Sequence, residues 1–386
     1  MWQLQDFDSE EFISRYWQKQ PCVLRNAFAN LDQMQQQLVS PEELAGLACE
    51  EDVHCRLVIE KDGTSPWQLS YGPFEEQDFL QLPETHYSLL VSECEKWFPE
   101  LTDLLDQFRF IPDWRIDDLM ISYAPADGSV GPHIDEYDVF LLQTMGSRRW
   151  LYCDAPGEQP QLIPDLELAI LQEFEPDQDV VLNPGDMLYL PPGIAHHGIA
   201  LERCMTYSIG FRAPTSSSVL ESFAVETEHL GVGLKRYRDA DLELDRHHAE
   251  ITDAEIDRFR TLATELLQQP GRVWQDAVGK MLSDSAIAAP LDDDQPVYVS
   301  DLLSCAWLRH PETRMFYHQS KQTISFYYNG RVRVLPRSQQ VLDQLQQLCT
   351  NREWSVSLIS ECLEIESMEA MLIELATNHA IIPIND

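Results

Sequence analysis

Apolar positions change their spacing along the chain, and each change predicts a different kind of element. Up to about residue 110, helix-like stretches alternate with brief apolar runs. SPEELAGLACEE reads as a helix with Ser40 as N-cap and Glu43 three positions on, and PCVLRNAF reads as a short strand. An α+β lead-in is expected there. From about 117 to 213 the apolar runs are short and sit between Pro and Gly, as in LMISYAP, YDVFLLQ, RRWLYC, DMLYLPPG and CMTYSIGFR. That spacing predicts an antiparallel barrel or sandwich.

After FRAPTSSS the helical period returns in SVLESFAVETEHL and TDAEIDRFRTLATELLQQP, where Thr252 and Glu255 form a capping box and Pro270 closes the segment. A helical module is therefore expected over 214–284. The acidic, Ala- and Pro-rich SAIAAPLDDDQPVY predicts a linker near 285–297, followed by a separate domain over 298–386. In that domain TISFYYNGRVRVL carries an Asn329-Gly330 hairpin signal, and SQQVLDQLQQLC and SMEAMLIELATNH read as helices. Helices with one hairpin predict a winged-helix-like arrangement. Yet ISECLEIESMEAMLIELA puts acids where phosphate contacts need Lys or Arg, so a protein partner is expected rather than DNA. No internal repeat interrupts this partition.

Composition narrows the class. With 386 residues, 44% hydrophobic and 24% charged, the chain reads as a folded protein of two or three domains. The opening MWQLQDFDSEEFISRYW lacks a basic leader ahead of an apolar run, and no stretch reaches the roughly 20 apolar residues of a membrane span. A cytoplasmic protein without membrane contact is expected. Nine cysteines, odd in number and without a CxxC pair, predict reduced packing residues. Against 27 Lys and Arg stand 65 Asp and Glu, a formal net charge of −38. Such a field repels bare nucleic acid and draws in a basic protein, more weakly as salt rises.

The candidate chemistry lies in GPHIDEYDVFLLQ. In an extended strand His133 and Asp135, two apart, face the same way and can share one ion. Downstream, NPGDMLYLPPGIAHHGIAL gives a strand, a Pro-Pro-Gly turn and then His196, a third ligand able to return to the same end of the barrel. Two imidazoles and one carboxylate make a facial triad with open positions, suited to non-haem Fe(II). A structural zinc site is the chemical rival. Such sites are usually closed by four cysteine-rich ligands, and no cysteine lies near either histidine motif. His247 and His248, outside this region, are read as surface residues.

GPHIDEYDVFLLQ together with PGDMLYLPPGIAHHG resembles the HxD…H signature of the JmjC subgroup of 2-oxoglutarate-dependent oxygenases. More narrowly, IPDWRIDDLMISYA and YSIGFRAP resemble the bacterial ribosomal oxygenases that hydroxylate an arginine of large-subunit ribosomal protein sixteen, and the resemblance runs over nearly the whole chain. It implies an α+β protein with a double-stranded β-helix (cupin-like JmjC) core within 1–213, a helical dimerisation module at 214–284 and a C-terminal winged-helix domain. It also implies Fe(II), with 2-oxoglutarate and dioxygen as cosubstrates, and a protein arginine hydroxylase of the 3-hydroxylase type working as a homodimer on a basic ribosomal protein.

The same resemblance selects His196 over its neighbour His197 through the Pro-Pro-Gly-x-x-His spacing. It places the cosubstrate cation two residues after Gly146, at Arg148, with Arg149 on the opposite face as the fallback. A buried keto-acid carboxylate needs such a cation, and Ser122 is expected to add a hydrogen bond. A substrate guanidinium needs acceptors or an aromatic face, for which Asp118, Tyr137 and, more weakly, Ser208 are the candidates. Asp117 and Asp118 could instead be loop acids. Two other readings stand beside the arginine hydroxylase. One is a cupin-like metal-binding sensor without turnover, and the other a JmjC enzyme acting on histidine, asparagine or a methylated lysine.

Overall fold

The computed structural model describes residues 2–28, 31, 38–61, 67–157, 161–242, 249–285 and 296–384. Most of the expected linker, and the pair His247 and His248, lie outside the described residues. The chain divides into two compact units, Met1–Ala213 and Pro214–Asp386.

The first unit holds helices α1 (Ser9–Arg15), α2 (Pro41–Leu47), α3 (Glu76–Leu80) and α4 (Thr102–Asp106). Its strands are β1 (Cys22–Leu24), β2 (Cys55–Glu60), β3 (Trp67–Tyr71), β4 (Tyr87–Val91), β5 (Ile116–Ala124), β6 (His133–Ile134), β7 (Val139–Met145), β8 (Arg148–Tyr152), β9 (Gln178–Leu182), β10 (Met187–Leu190), β11 (Ala195–Ala200) and β12 (Cys204–Phe211). Ser40 caps α2 in a full capping box with Glu43, as its sequence predicts.

An eight-stranded sheet runs in the order β1-β10-β7-β12-β5-β4-β2-β3, and a four-stranded sheet in the order β6-β11-β8-β9. All pairings are antiparallel. From β5 to β12 the chain passes repeatedly between the sheets, so β5 and β6, β7 and β8, β9 and β10, and β11 and β12 each straddle the two. This is a double-stranded β-helix of the cupin type, the core expected from the sequence.

The central strands read as unbroken apolar runs because the large sheet is covered on both faces. One set of alternate residues, including Phe140, Leu142, Tyr189, Tyr207 and Phe211, packs with Trp2, Phe12, Phe28 and Phe108 from the lead-in. The other set, Val139, Leu141, Leu188 and Leu190, meets Trp150, Tyr152, Leu182 and Ile194 between the sheets. Polar residues interrupt this second set: Gln143, Ser122, Thr206 and Ser208 are all buried on the inner face.

One expectation needs correction. PHIDEYDVFLL is not a single extended segment. β6 stops at Ile134, residues 136 and 137 bend, and β7 then begins in the other sheet. Long-range contacts impose the bend. Gly193 N–H donates to the Asp135 carbonyl at 2.8 Å. The fully buried Asp138 carboxylate accepts from Gln18 at 2.9 Å, Arg115 at 2.8 Å and the Tyr189 hydroxyl at 2.6 Å. A buried carboxylate without such partners would be costly, so the corner is held where these donors are.

The second unit contains α5 (Ser216–His229), α6 (Asp253–Leu267), α7 (Gly271–Ser283), α8 (Val299–Leu302), α9 (Gln339–Thr350), α10 (Val356–Leu363) and α11 (Glu366–Thr377). Its strands are β13 (Trp307–Arg309), β14 (Met315–Gln319), β15 (Thr323–Tyr328), β16 (Arg331–Pro336), β17 (Glu353–Trp354) and β18 (Ile381–Pro383). Thr252 and Glu255 close the expected capping box on α6. Asn329 and Gly330, both at positive φ (44° and 69°), turn β15 into β16 as the Asn-Gly signal predicts. Phe223 of α5 stacks on Trp274 of α7 with ring centroids 4.0 Å apart, and the Tyr327 hydroxyl of β15 donates to Asp276 of α7 at 3.1 Å. Segments 214–284 and 298–386 therefore touch through α7.

All nine cysteines are free thiols; Cys55, Cys94, Cys204 and Cys362 are buried and the rest partly so. Among the described residues no helix is long and apolar enough to cross a membrane.

Glu95 yields a pH prediction. Its carboxylate accepts from Leu119 N–H at 3.0 Å, so it helps fix the start of β5, while burial pushes its pKa up to about 7. A carboxyl with a raised folded-state pKa contributes fully below its unfolded value and loses that contribution as pH rises through about 7. Glu95→Gln should therefore melt with wild type at pH 5 and be more stable at pH 8, by up to about 3 kcal/mol, as read by thermal unfolding at the two pH values.

Candidate active site

Three side chains from the inter-sheet space converge. His133 and His196 are directly paired residues of β6 and β11, with ring centroids 4.2 Å apart. Asp135 follows β6 at the bend, its Oδ2 lying 3.6 Å from His196 Nε2 and 3.9 Å from His133 Nε2. One ligand atom from each lies within 4.8 Å of the others, and no other such trio of His, Cys, Asp or Glu occurs among the described residues.

Backbone carbonyls set the tautomers. Nδ1–H of His133 donates to Gly131 O and that of His196 to Ile194 O, each at 2.9 Å. A carbonyl only accepts, so both Nε2 lone pairs are left facing the common point. Burial, reinforced by His133, pushes the His196 pKa down to about 4, so its ring is neutral at neutral pH. His197 turns away to hydrogen-bond Ser129 Oγ at 2.8 Å and takes no part.

The trio lines a cavity of about 580 Å³ that also reaches Arg148, Ser122, Asp118, Tyr137 and Ser208. Apart from the fallback Arg149, every site residue proposed from sequence thus borders one space. Arg148 on β8 is 4% exposed. Its guanidinium donates to Ser122 Oγ and Thr206 Oγ1, both at 3.3 Å, and lies 5.3 Å from the centroid of the Trp150 ring. Its Nε has no partner among the described residues, and no carboxylate pairs with it. Burial lowers its pKa, as expected for a cation sealed without a counter-ion. Arg149, by contrast, is exposed on the outer face in a bidentate pair with Asp179 (2.6 and 2.8 Å) and is excluded as the cosubstrate cation.

At the mouth, Asp118 sits on β5, not on a loop; its Oδ2 accepts from Glu93 N–H at 3.3 Å. Asp117, on the other face, pairs with Arg212. The Tyr137 ring is exposed, and burial of its hydroxyl with Asp135 and Asp118 nearby raises its pKa.

Sequence reasoning missed Thr206, Gln143 and Gly198. Gln143 Oε1 accepts from the Thr206 hydroxyl at 2.9 Å, orienting it toward Arg148. Gly198, two residues beyond His196, is required by space. A Cβ there would lie 2.7 Å from the Trp150 ring and 2.9 Å from Arg148 Nε.

The donor set fits a divalent ion that needs open positions, since two neutral imidazoles and one carboxylate leave the rest of an octahedral shell free. The partnerless Arg148 Nε fits an anionic cosubstrate in the same cavity. Fold and site together define a JmjC-type, 2-oxoglutarate-dependent oxygenase. A family model described as the JmjC domain matches residues 103–219. The chain is 41% identical over 294 residues to the Escherichia coli ribosomal protein uL16 3-hydroxylase, covering 75% of each. The crystal structure of E. coli ycfD superposes with a TM-score of 0.81 at 36% identity, over 99% of both chains. The ycfD complex with cobalt and 2-oxoglutarate gives 0.79 at 35%, again over 99% of both. The chain belongs to the JmjC ribosomal oxygenase family.

Arg148→Gln should weaken 2-oxoglutarate binding by about a hundredfold, the loss expected when a buried charge-assisted pair is broken. Binding of Mn(II) in its place at the triad should persist; titration of the cosubstrate with and without the metal separates the two.

Proposed function

We propose that this chain is an Fe(II)- and 2-oxoglutarate-dependent hydroxylase of an arginine side chain in a basic ribosomal protein, the uL16 type of substrate for which its E. coli relative is named. One observation carries the reading. A guanidinium without a carboxylate partner and a His–Asp–His trio line the same cavity, so cosubstrate and metal have their places side by side. Bound together, Fe(II), 2-oxoglutarate and dioxygen supply the oxidising power to insert one oxygen atom into an unactivated C–H bond.

The protein's own residues do the rest. His133, Asp135 and His196 hold the metal from one side. Arg148, with Ser122 and Thr206, takes the distal carboxylate, an arginine fork being able to bind it through two donors. Val139, Leu141 and Trp150 line the cavity with apolar surface and exclude water. Asp118 and Ser208 offer acceptors for the substrate guanidinium and Tyr137 offers an aromatic face, which orients the target side chain before reaction. The net charge of −38 draws a basic partner in at long range and disfavours ribosomal RNA.

The 214–284 helices are the proposed homodimer contact, supported by exposed Leu220, Val225, Ile256 and Phe259. The 298–386 region is the proposed winged-helix-like contact module. Exposed Glu361, Glu364, Glu366 and Glu369 along α10 and α11 argue for protein over DNA there. A cytoplasmic location accords with a ribosomal-protein substrate.

Reconstitution with Fe(II) under anaerobic conditions, then addition of air, 2-oxoglutarate and uL16-derived peptides, should add one oxygen atom to an arginine by mass spectrometry. His196→Ala should add none. Metal binding without consumption of 2-oxoglutarate would favour the sensor reading, and oxygen on another residue type would move the substrate assignment. Sedimentation should give a dimer, reduced to monomer by Val225→Glu with Phe259→Glu.

A further inference from the structure

Two permanently charged cations line the cavity, and the cosubstrate accounts for only one. Backbone register places Arg56 in a row whose far end touches Arg148. Across the inner face of the large sheet, Gln143, Thr206, Ser122, Leu90, Arg56 and Tyr71 are successive cross-strand partners on β7, β12, β5, β4, β2 and β3. Thr206 and Ser122 touch Arg148 at one end of this row. Arg56 stands two strands beyond Ser122, roughly 10 Å along the row. The small sheet ends at β6, so this part of the large sheet extends past its cover and forms the cavity floor.

Arg56 is exposed, and among the described residues its side chain has no ion pair or hydrogen bond. Its charge nevertheless reaches the hydroxyls of Tyr137, at the triad, and of Tyr71 opposite it. A strongly acidic protein that recruits basic partners gains nothing for capture from a cation at the cleft. It gains selectivity. Long-range attraction treats every arginine of a basic protein alike, and discrimination among them needs a repulsive element at the contact. An arginine fork also binds a carboxylate or a carbonyl well, so the same group rewards the right neighbour.

We propose that Arg56 determines which arginine is accepted, rejecting sequences that lay a second basic residue over β2 and favouring those that lay an acidic side chain or a free carbonyl there. This rests on the hydroxylase reading above and deepens it.

The test is a charge-swap matrix. Peptides with one target arginine carry Glu, Gln or Lys at each of three positions on either side, and are assayed with wild type, Arg56→Gln and Arg56→Glu. Turnover is read as kcat/KM, and binding separately as Kd with Mn(II) replacing iron; 2-oxoglutarate affinity checks folding. At one or two adjacent positions wild type should prefer Glu over Lys by about tenfold, Arg56→Gln should flatten the preference, and Arg56→Glu should invert it. One flank preference shared by all three proteins overturns the inference. Binding that follows the charge pattern without turnover keeps Arg56 as the selector and removes the hydroxylase; turnover indifferent to the swaps does the reverse. Failure of every peptide to bind overturns both.

Discussion

Arg148 is 4% exposed between two sheets, and no carboxylate among the described residues balances it. Burying a lone charge costs several kcal/mol even after relaxation, and much of the inner face can be understood as the means of bearing that cost. Ser122, Thr206 and Gln143 interrupt an otherwise apolar surface to supply oxygen acceptors and to orient them. The Trp150 ring lies against the guanidinium, and Gly198 leaves the space that ring and cation need. What remains uncompensated is the positive charge itself, for which a dicarboxylate cosubstrate is the proposed counter-ion. The unbalanced guanidinium thereby suits the cavity to an anion.

Much of this was readable in the residues. HxD and Pro-Pro-Gly-x-x-His are local spacings, so all three candidate metal ligands could be found without knowing the fold, and Ser40, Thr252 and Asn329-Gly330 announce their caps and turn directly. Other features depend on what lies far away in sequence. The break after Ile134 is imposed by Gln18, Arg115, Tyr189 and Gly193, none of them adjacent to it. β7, β10 and β12 are apolar on both faces because both are covered, which hides the period that would separate inner from outer positions. Thr206 is legible as a polar exception only after the facing sheet is known. Arg56, inside CRLVIE, carries no local sign of its place; two strand registers must be in hand before it joins the row with Ser122.

The bridge from 135 to 138 crosses between sheets while carrying a candidate metal ligand and a proposed substrate contact, with one end tied to Gly193 and the other to the Asp138 cluster. Its length is thereby set by the separation of two rigid layers. An added or lost residue would rotate Asp135 out of the triad or pull Asp138 from its donors, since neither anchor can follow. The longer connection between β8 and β9 has an anchor of its own beside the triad, where Ile170 is buried and Leu171 N–H donates to the Pro132 carbonyl at 2.8 Å. Among relatives of this protein, insertions should therefore be purged from the four positions after Ile134, making the short bridge a ruler against which the family's sequences can be aligned.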